Sequence, residues 1–194
     1  MKRRKRKLTP GAIILPGLVL GLGFLLPYIL FSKSPTLRKK MTTISKTGYD
    51  LYDLLINTGF SDTYSRFIVA QAAHESDNFT SLLFKSDNNS FGMTYQGQRE
   101  ATKSNKSFTD SQGRIFFYAS YTHLGQAVQD YKRLFKSYGI VVLNTLESFV
   151  KLLKKMRYFE APEAEYLKGC TWFWNLYFPR GWIREKAPGA SGSW

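Results

Sequence analysis

One cysteine, two histidines and no acidic residue before Asp50 are the scarcities that bound this chain of 194 residues. A lone Cys170 excludes an intrachain disulfide framework and a cysteine-based zinc cluster, and His74 and His123 are too few for a histidine-rich metal site. No metal or organic cofactor is indicated. What the chain has in plenty is hydrophobic residues, at 43%, and aromatic residues, at 16%, which exclude a disordered tail or a low-complexity spacer. The chemistry to look for is what carboxylates and aromatic rings can do.

The net charge of +14 points first to nucleic acid, so its placement decides its meaning. Residues 1–40 carry ten Lys or Arg and no acid, whereas the other 154 residues carry eighteen basic and fourteen acidic side chains. The excess flanks one apolar segment and does not coat a folded body, so no nucleic-acid partner is expected. That segment, residues 11–31, is twenty-one residues without a charge, enough for a helix to cross a hydrocarbon core of roughly 30 Å. It ends in Tyr28, Ile29, Leu30 and Phe31 with no small-residue cleavage site, which reads as an uncleaved anchor in a lipid membrane. Six basic residues precede it and four follow, favouring a cytoplasmic N-terminus (residues 1–10) and an extracytoplasmic body, in a bacterial inner membrane or a phage virion membrane. Residues 32–46, rich in Ser, Thr and Lys, read as a tether; residues 47–180 form the domain, and residues 181–194 a loose tail.

Within the body the hydrophobic spacing is helical. Tyr64, Phe67, Ile68, Gln71, Ala72 and Glu75 fall at i, i+3, i+4, i+7, i+8 and i+11, with Ser61 or Asp62 as N-cap. Leu124, Ala127, Val128, Tyr131, Leu134, Phe135 and Tyr138 repeat the pattern, with Gly139 as the stop. Further helices are expected near 47–57, 145–156 and 163–177. The stretch from about Arg99 to Tyr118 is polar and Gly-containing, with Ser111, Gln112 and Gly113 preceding Arg114, Ile115, Phe116, Phe117 and Tyr118, and reads as a β-hairpin with a loose tip. The fold class is α+β, mainly α: a helical domain with a small β insertion, preceded by one N-terminal transmembrane helix.

Glu75 ends the apolar stripe of its helix. A carboxylate there is either desolvated, with its pKa raised and its proton retained for donation, or turned out into water; periodicity leaves both open. Its surroundings add weight to the first. Ala70, Gln71, Ala72, Ala73, His74, Glu75, Ser76, followed by Asn78, Phe79 and later by Asn88, Asn89, Ser90, Phe91, Gly92, resemble the glucosaminidase domains of bacterial and phage cell-wall hydrolases. These are the flagellar-type group, glycoside hydrolase family 73, of the lysozyme-like superfamily. Tyr118, Tyr121, Asp130 and Tyr131, then Tyr158, Pro162, Glu165 and Tyr166, extend the resemblance over residues 45–178.

The resemblance implies a lysozyme-like fold with Glu75 as catalytic acid and the glycan strands of peptidoglycan as substrate, cut after N-acetylglucosamine. A second carboxylate is expected in the hairpin, where Asp110 is preferred over Glu100 by its spacing from Gly113. The substrate's own 2-acetamido group is the alternative nucleophile, with Tyr121 to orient it. Asn89, Phe91, Tyr95 and Tyr118 are the substrate-contacting candidates, although Asn88 and Asn89 would equally serve loop backbone and Phe91 the core. Thr122 and His123 stand where the family has Asp and Ser, and His74 where it has an apolar residue. A muramidase, a lytic transglycosylase and a non-catalytic wall-binding or virion structural protein are the competing readings.

Overall fold

The computed structural model describes residues 46–183 apart from 111 and 139–142. The anchor, most of the tether, residues 184–194 of the tail and Gly139 lie outside the described residues; Trp182, expected in the loose tail, packs on Tyr49, Tyr52 and Phe178 and belongs to the domain. The elements are α1 (Lys46–Asn57), α2 (Asp62–Glu75), α3 (Leu82–Asp87), β1 (Thr102–Thr109), β2 (Ile115–Ser120), α4 (Leu124–Tyr138), α5 (Leu146–Lys155) and α6 (Glu163–Tyr177). This is the mainly helical α+β arrangement expected, with one two-stranded antiparallel sheet. Among the described residues no helix is long and apolar enough to cross a membrane.

Helix α2 is the centre of the domain. Ser61 caps it, its hydroxyl accepting from the Tyr64 amide at 3.3 Å. Beyond the first turn it is buried on nearly every side, because Val69, Ala70 and Ala73 are interior as well as the Phe67, Ile68, Gln71, Ala72 and Glu75 stripe. A helix enclosed in this way needs small residues where its neighbours approach, and the alanines at 70, 72 and 73 allow α1 and α6 to pack closely on it. On the α4 side the core is aromatic. Phe91 stacks on Tyr131 at 4.2 Å between centroids, Tyr131 meets Phe135 at 4.9 Å, and Phe135 stacks on Phe149 at 5.9 Å. Thr145 and Ser148 close a reciprocal capping box at the start of α5.

Strand β2 pairs with β1 on one edge, Phe108 opposite Phe116 and Thr102 opposite Ser120, with an irregularity between Lys103 and Ser107. On its other edge it holds residues 93–95: the Tyr95 amide donates to the Phe117 carbonyl, and the Ala119 amide to that of Met93. The hairpin is thereby stitched to the loop that follows α3. That six-residue helix was not among the expected elements, since it is too short to show a period.

Gly48, in α1, lies under the ring of Tyr177: a Cβ there would sit 2.3 Å from its Cε1. Alanine would gain about 1 kcal/mol of helix propensity against about 1 to 3 kcal/mol of overpacking. Gly48→Ala is expected to lower the thermal midpoint; a raised midpoint would show that the Tyr177 ring yields freely.

Candidate active site

Glu75 stands at the last turn of α2, and the chain that leaves it is bent sharply. Asp77, Asn78 and Phe79 follow with φ of 50°, 55° and 60°, three successive non-glycine residues in the left-handed region. Each costs roughly 1 to 2 kcal/mol against the right-handed form, so the turn must be held from outside. The Ser76 hydroxyl donates to the Ala72 carbonyl at 2.5 Å and accepts from the Phe79 amide at 3.0 Å. Tyr177, on α6, donates to Asn78 Oδ1 at 2.5 Å. The Glu-Ser-x-Asn-Phe run is therefore a built turn that ends α2 abruptly at the carboxylate.

The Glu75 residue is only 6% exposed. Its Oε1 accepts a hydrogen bond from the Tyr166 hydroxyl at 2.5 Å; Oε2 has no hydrogen-bond partner among the described residues. Burial pushes its pKa up to about 7, with the Tyr166 hydrogen bond pulling the other way. Ionising the carboxyl in the folded protein thus costs about 3 kcal/mol more than in the unfolded chain. The phenol of Tyr166 is itself raised well above its ordinary range by burial and by the charge of Glu75, so it stays a donor. Its ring is clamped: Phe159 stacks on it at 3.7 Å, parallel to within 1°, and His74 meets it edge-on at 4.9 Å. His74 is packed between Tyr166 and Phe173. Gly169 makes the room, since a Cβ there would lie 2.4 Å from the imidazole Cε1, and burial lowers the His74 pKa to about 4.

The other expected site residues are placed as follows. Tyr118 lies half-buried on β2, its phenol raised by burial and then by the charge of Glu75, which places it in the same electrostatic neighbourhood as the acid. Tyr95 is beside it on the neighbouring edge, half-exposed. Tyr121 is buried, its hydroxyl 4.0 Å from Met93 Sδ and its pKa driven far up by burial. Asn89 is buried with its amide consumed: Nδ2 donates to the Met93 and Ala119 carbonyls at 2.8 and 2.9 Å, and Oδ1 accepts from the Met93 amide at 2.9 Å. Phe91 is fully buried under Tyr131. These two have no surface to offer a ligand, and the expectation that they touch substrate is corrected. Asn89 fixes the loop that carries residues 93–95, and Phe91 anchors it to the core.

Asp110 sits at the hairpin tip with its oxygens engaged. Oδ1 accepts from the amides of Gln112 and Arg114, at 2.9 and 2.8 Å, and Oδ2 from Arg114 Nε at 2.6 Å. Desolvation by its own turn raises its pKa, but the backbone and guanidinium of Arg114 and the amide of Gln112 outweigh this and hold the carboxyl below the usual range. Glu100 pairs with Arg133 at 2.7 Å, while its amide donates to Asp130. Among the described residues no cluster of three or more His, Cys, Asp or Glu is arranged to hold a metal ion. A depression of about 370 Å³ lined by Asp62, Arg66, Phe67, Asn144, Leu146 and Trp174 lies at the opposite end of α2 from Glu75. The helix has 14 residues, so its two ends are roughly 20 Å apart.

The model of the family described as Glucosaminidase, mannosyl-glycoprotein endo-beta-N-acetylglucosaminidase, matches residues 60–177, from the turn before α2 to the last residue of α6. The chain belongs to the glucosaminidase family. No curated protein and no solved structure matches it with significance. Membership makes this glucosaminidase domain a glycoside hydrolase by family, and its matched span contains Glu75, the hairpin and Tyr166 together.

In the sequence Tyr166 extends the resemblance without a role attached to it. Its pairing with Glu75 spans 91 positions, and the run Glu165-Tyr166-Leu167 carries no local sign of it. Removing the hydroxyl with Tyr166→Phe takes away the influence that lowers the Glu75 pKa. The alkaline limb of the pH–rate profile is expected to move to higher pH, with the acidic limb unchanged; an unmoved alkaline limb would show that this hydrogen bond does not set the group's proton affinity.

Because the folded pKa of Glu75 is raised, the protonated form stabilises the fold below about pH 4.5, and that contribution is lost as pH rises through about 7. Glu75→Gln is therefore expected to melt above the parent at pH 8 and to lose that advantage towards pH 5. Equal melting at pH 8 would mean that the carboxylate is solvated.

Proposed function

We propose that this chain is a membrane-tethered peptidoglycan hydrolase of endo-β-N-acetylglucosaminidase type with Glu75 as its general acid. The observation that carries the reading is a carboxyl at a helix end that is sheltered from water, has a pKa of about 7 and is gripped through one oxygen by Tyr166. With Oε1 committed, the proton rides on Oε2. In the reaction Glu75 gives that proton to the glycosidic oxygen as the C1–O bond breaks, and the leaving sugar departs as an alcohol. The pairing of Asp110 with Arg114 and of Glu100 with Arg133 supports a route that needs no second carboxylate. The carbonyl oxygen of the substrate's 2-acetamido group attacks C1, and water then opens the resulting ring with Glu75 as the base. Tyr121, the residue after β2, is assigned in this reading to orienting that group.

Residues 11–31 serve as anchor and 32–46 as tether in this reading, holding the domain in a thin layer beside the wall and raising its local concentration there. The source is bacterial, for remodelling, or phage, for penetration or lysis.

The test is the product spectrum of the full chain on purified sacculi, where reducing N-acetylglucosamine ends are expected and anhydro-muramic ends would favour a transglycosylase. Glu75→Gln should lower the rate by about two to four orders of magnitude; clearance as fast as the parent would remove the acid assignment. Deleting residues 1–40 is expected to leave hydrolysis of isolated peptidoglycan intact and to slow attack on whole envelopes, and equal rates on envelopes would take the tether out of the mechanism.

A further inference from the structure

Asp87 is a buried carboxylate in an unfavourable place. It is the last residue of α3, where unpaired carbonyls repel negative charge, and it is only 5% exposed, where an uncompensated ion is costly. The compensation comes mostly from the hairpin. On β1, Ser104 Oγ donates to Oδ1 at 3.0 Å and Lys106 Nζ to Oδ2 at 2.6 Å. Lys106 also donates to Ser86 Oγ at 2.6 Å, and that hydroxyl donates on to Oδ2 at 2.7 Å. Strand β1 is shaped for these contacts. From Lys103 to Ser107 it advances four positions while β2 advances two, from Ala119 to Phe117, and the bulge so formed contains Ser104 and Lys106. The Lys106 amide folds back onto Ser104 Oγ at 3.0 Å. The other strand is held as well: the Tyr121 amide, one residue past β2, donates to the Asp87 carbonyl at 2.8 Å, and Asn88 Nδ2 donates to the Tyr121 carbonyl at 3.0 Å. Burial raises the Asp87 pKa, but the hydrogen bonds of Lys106, Ser86, Ser120 and Ser104 outweigh it and hold the carboxyl below the usual range.

Direct contacts join this clasp to the acid. Asn89, two residues beyond Asp87, binds the Met93 and Ala119 carbonyls and so ties the same loop to β2. The Phe91 carbonyl accepts from the Tyr158 hydroxyl, and the next residue, Phe159, stacks on the Tyr166 ring that holds Glu75 Oε1. Phe91 also stacks on Tyr131, whose hydroxyl donates to Gln71 Oε1, one turn before Glu75 on the same face of α2. We infer that Asp87 is a positioning residue of the glycosidase site, clasping β1 and the Tyr121 segment so that the hairpin keeps one orientation to Glu75. This rests on the reading of Glu75 as the acid. Both Asp87 oxygens are occupied, so it acts through the hairpin and does not touch substrate. Apolar side chains would fill such a corner at lower desolvation cost; directional bonds from a carboxylate to two residues of a bulge fix an angle, which apolar packing alone does not.

The clasp is tested in the full chain with Asp87→Ala, Lys106→Met, the two combined, and Lys106→Arg, which keeps the charge. Two readouts are taken well below the melting temperature: kcat and KM on solubilised peptidoglycan, and amide hydrogen exchange in the hairpin and in α2. Asp87→Ala and Lys106→Met are each expected to lower kcat about tenfold to a hundredfold with KM changed much less, and to quicken exchange in β1 and β2 while α2 stays protected. The double variant should be no worse than the poorer single one, because the pair acts as a unit, and Lys106→Arg should keep the parent's kcat. Quickened hairpin exchange at the parent's kcat would make the clasp structural only and overturn the proposal, leaving the acid in place. Exchange quickened in α2 as well would show general loosening and also overturn it. A parent that does not cleave at all fails the hydrolase reading, and the positioning role with it.

Discussion

The desolvation of one carboxyl group, against a single hydrogen bond from Tyr166, is the constraint around which this domain is arranged. Left to itself a glutamate at a helix end turns to water and ionises near pH 4. Here α2 is enclosed by its neighbours, α6 delivers a phenol to Oε1, and Phe159 and His74 clamp that phenol so that it cannot swing away. The arrangement is destabilising above neutrality by about 3 kcal/mol, a sizeable fraction of what a domain of this size has in hand. Such strain persists where the surrounding packing over-determines it, and perturbed acids of this kind cluster in active sites.

The same logic explains the backbone that follows. Three left-handed residues in a row are a costly way to leave a helix, yet they cut α2 short at Glu75 and return the chain at once to α3. Ser76, Thr80 and the hydroxyl of Tyr177 hold the bend. Tyr177 and Tyr166 sit on one helix, three turns apart, so α6 secures both the acid and the turn beyond it. A shift of α6 along α2 would disturb the two together. Gly169, which lets the helices meet over His74, and Gly48, under the Tyr177 ring, keep that register.

Much of this layout is written in local pattern. The i, i+3, i+4 stripe that starts at Tyr64 runs into Glu75 and places it at the edge of a buried face, and the stripe from Leu124 to Tyr138 defines α4. The polar run up to Gly113 and the apolar run after it mark the hairpin, and Ser61 marks the start of α2. What periodicity cannot carry is how side chains pair across the fold. The Tyr166 contact depends on the packing of α6 against α2. Asn89 and Phe91 stand in the recognisable motif, but their task is to hold residues 93–95 against β2, and a motif states which residues occur together without saying which of them face solvent. Asp110 has the right charge in the right element; only coordinates reveal that Arg114 and the turn amides occupy its oxygens. The short α3 is set by its Ser81 cap and by Asp87, buried among Lys106, Ser86 and Ser104, which are tertiary partners invisible along the chain.

The measurement that bears most directly on the central claim is a spectroscopic titration of the Glu75 carboxyl in the intact protein, by carbonyl-region infrared or carbon-13 resonance difference against Glu75→Gln. Transition of that one group near pH 7 is the predicted result. A carboxyl already ionised at pH 5, titrating in the ordinary range near 4, would contradict the account, because a solvated glutamate at this position would hold no proton to give a glycosidic oxygen.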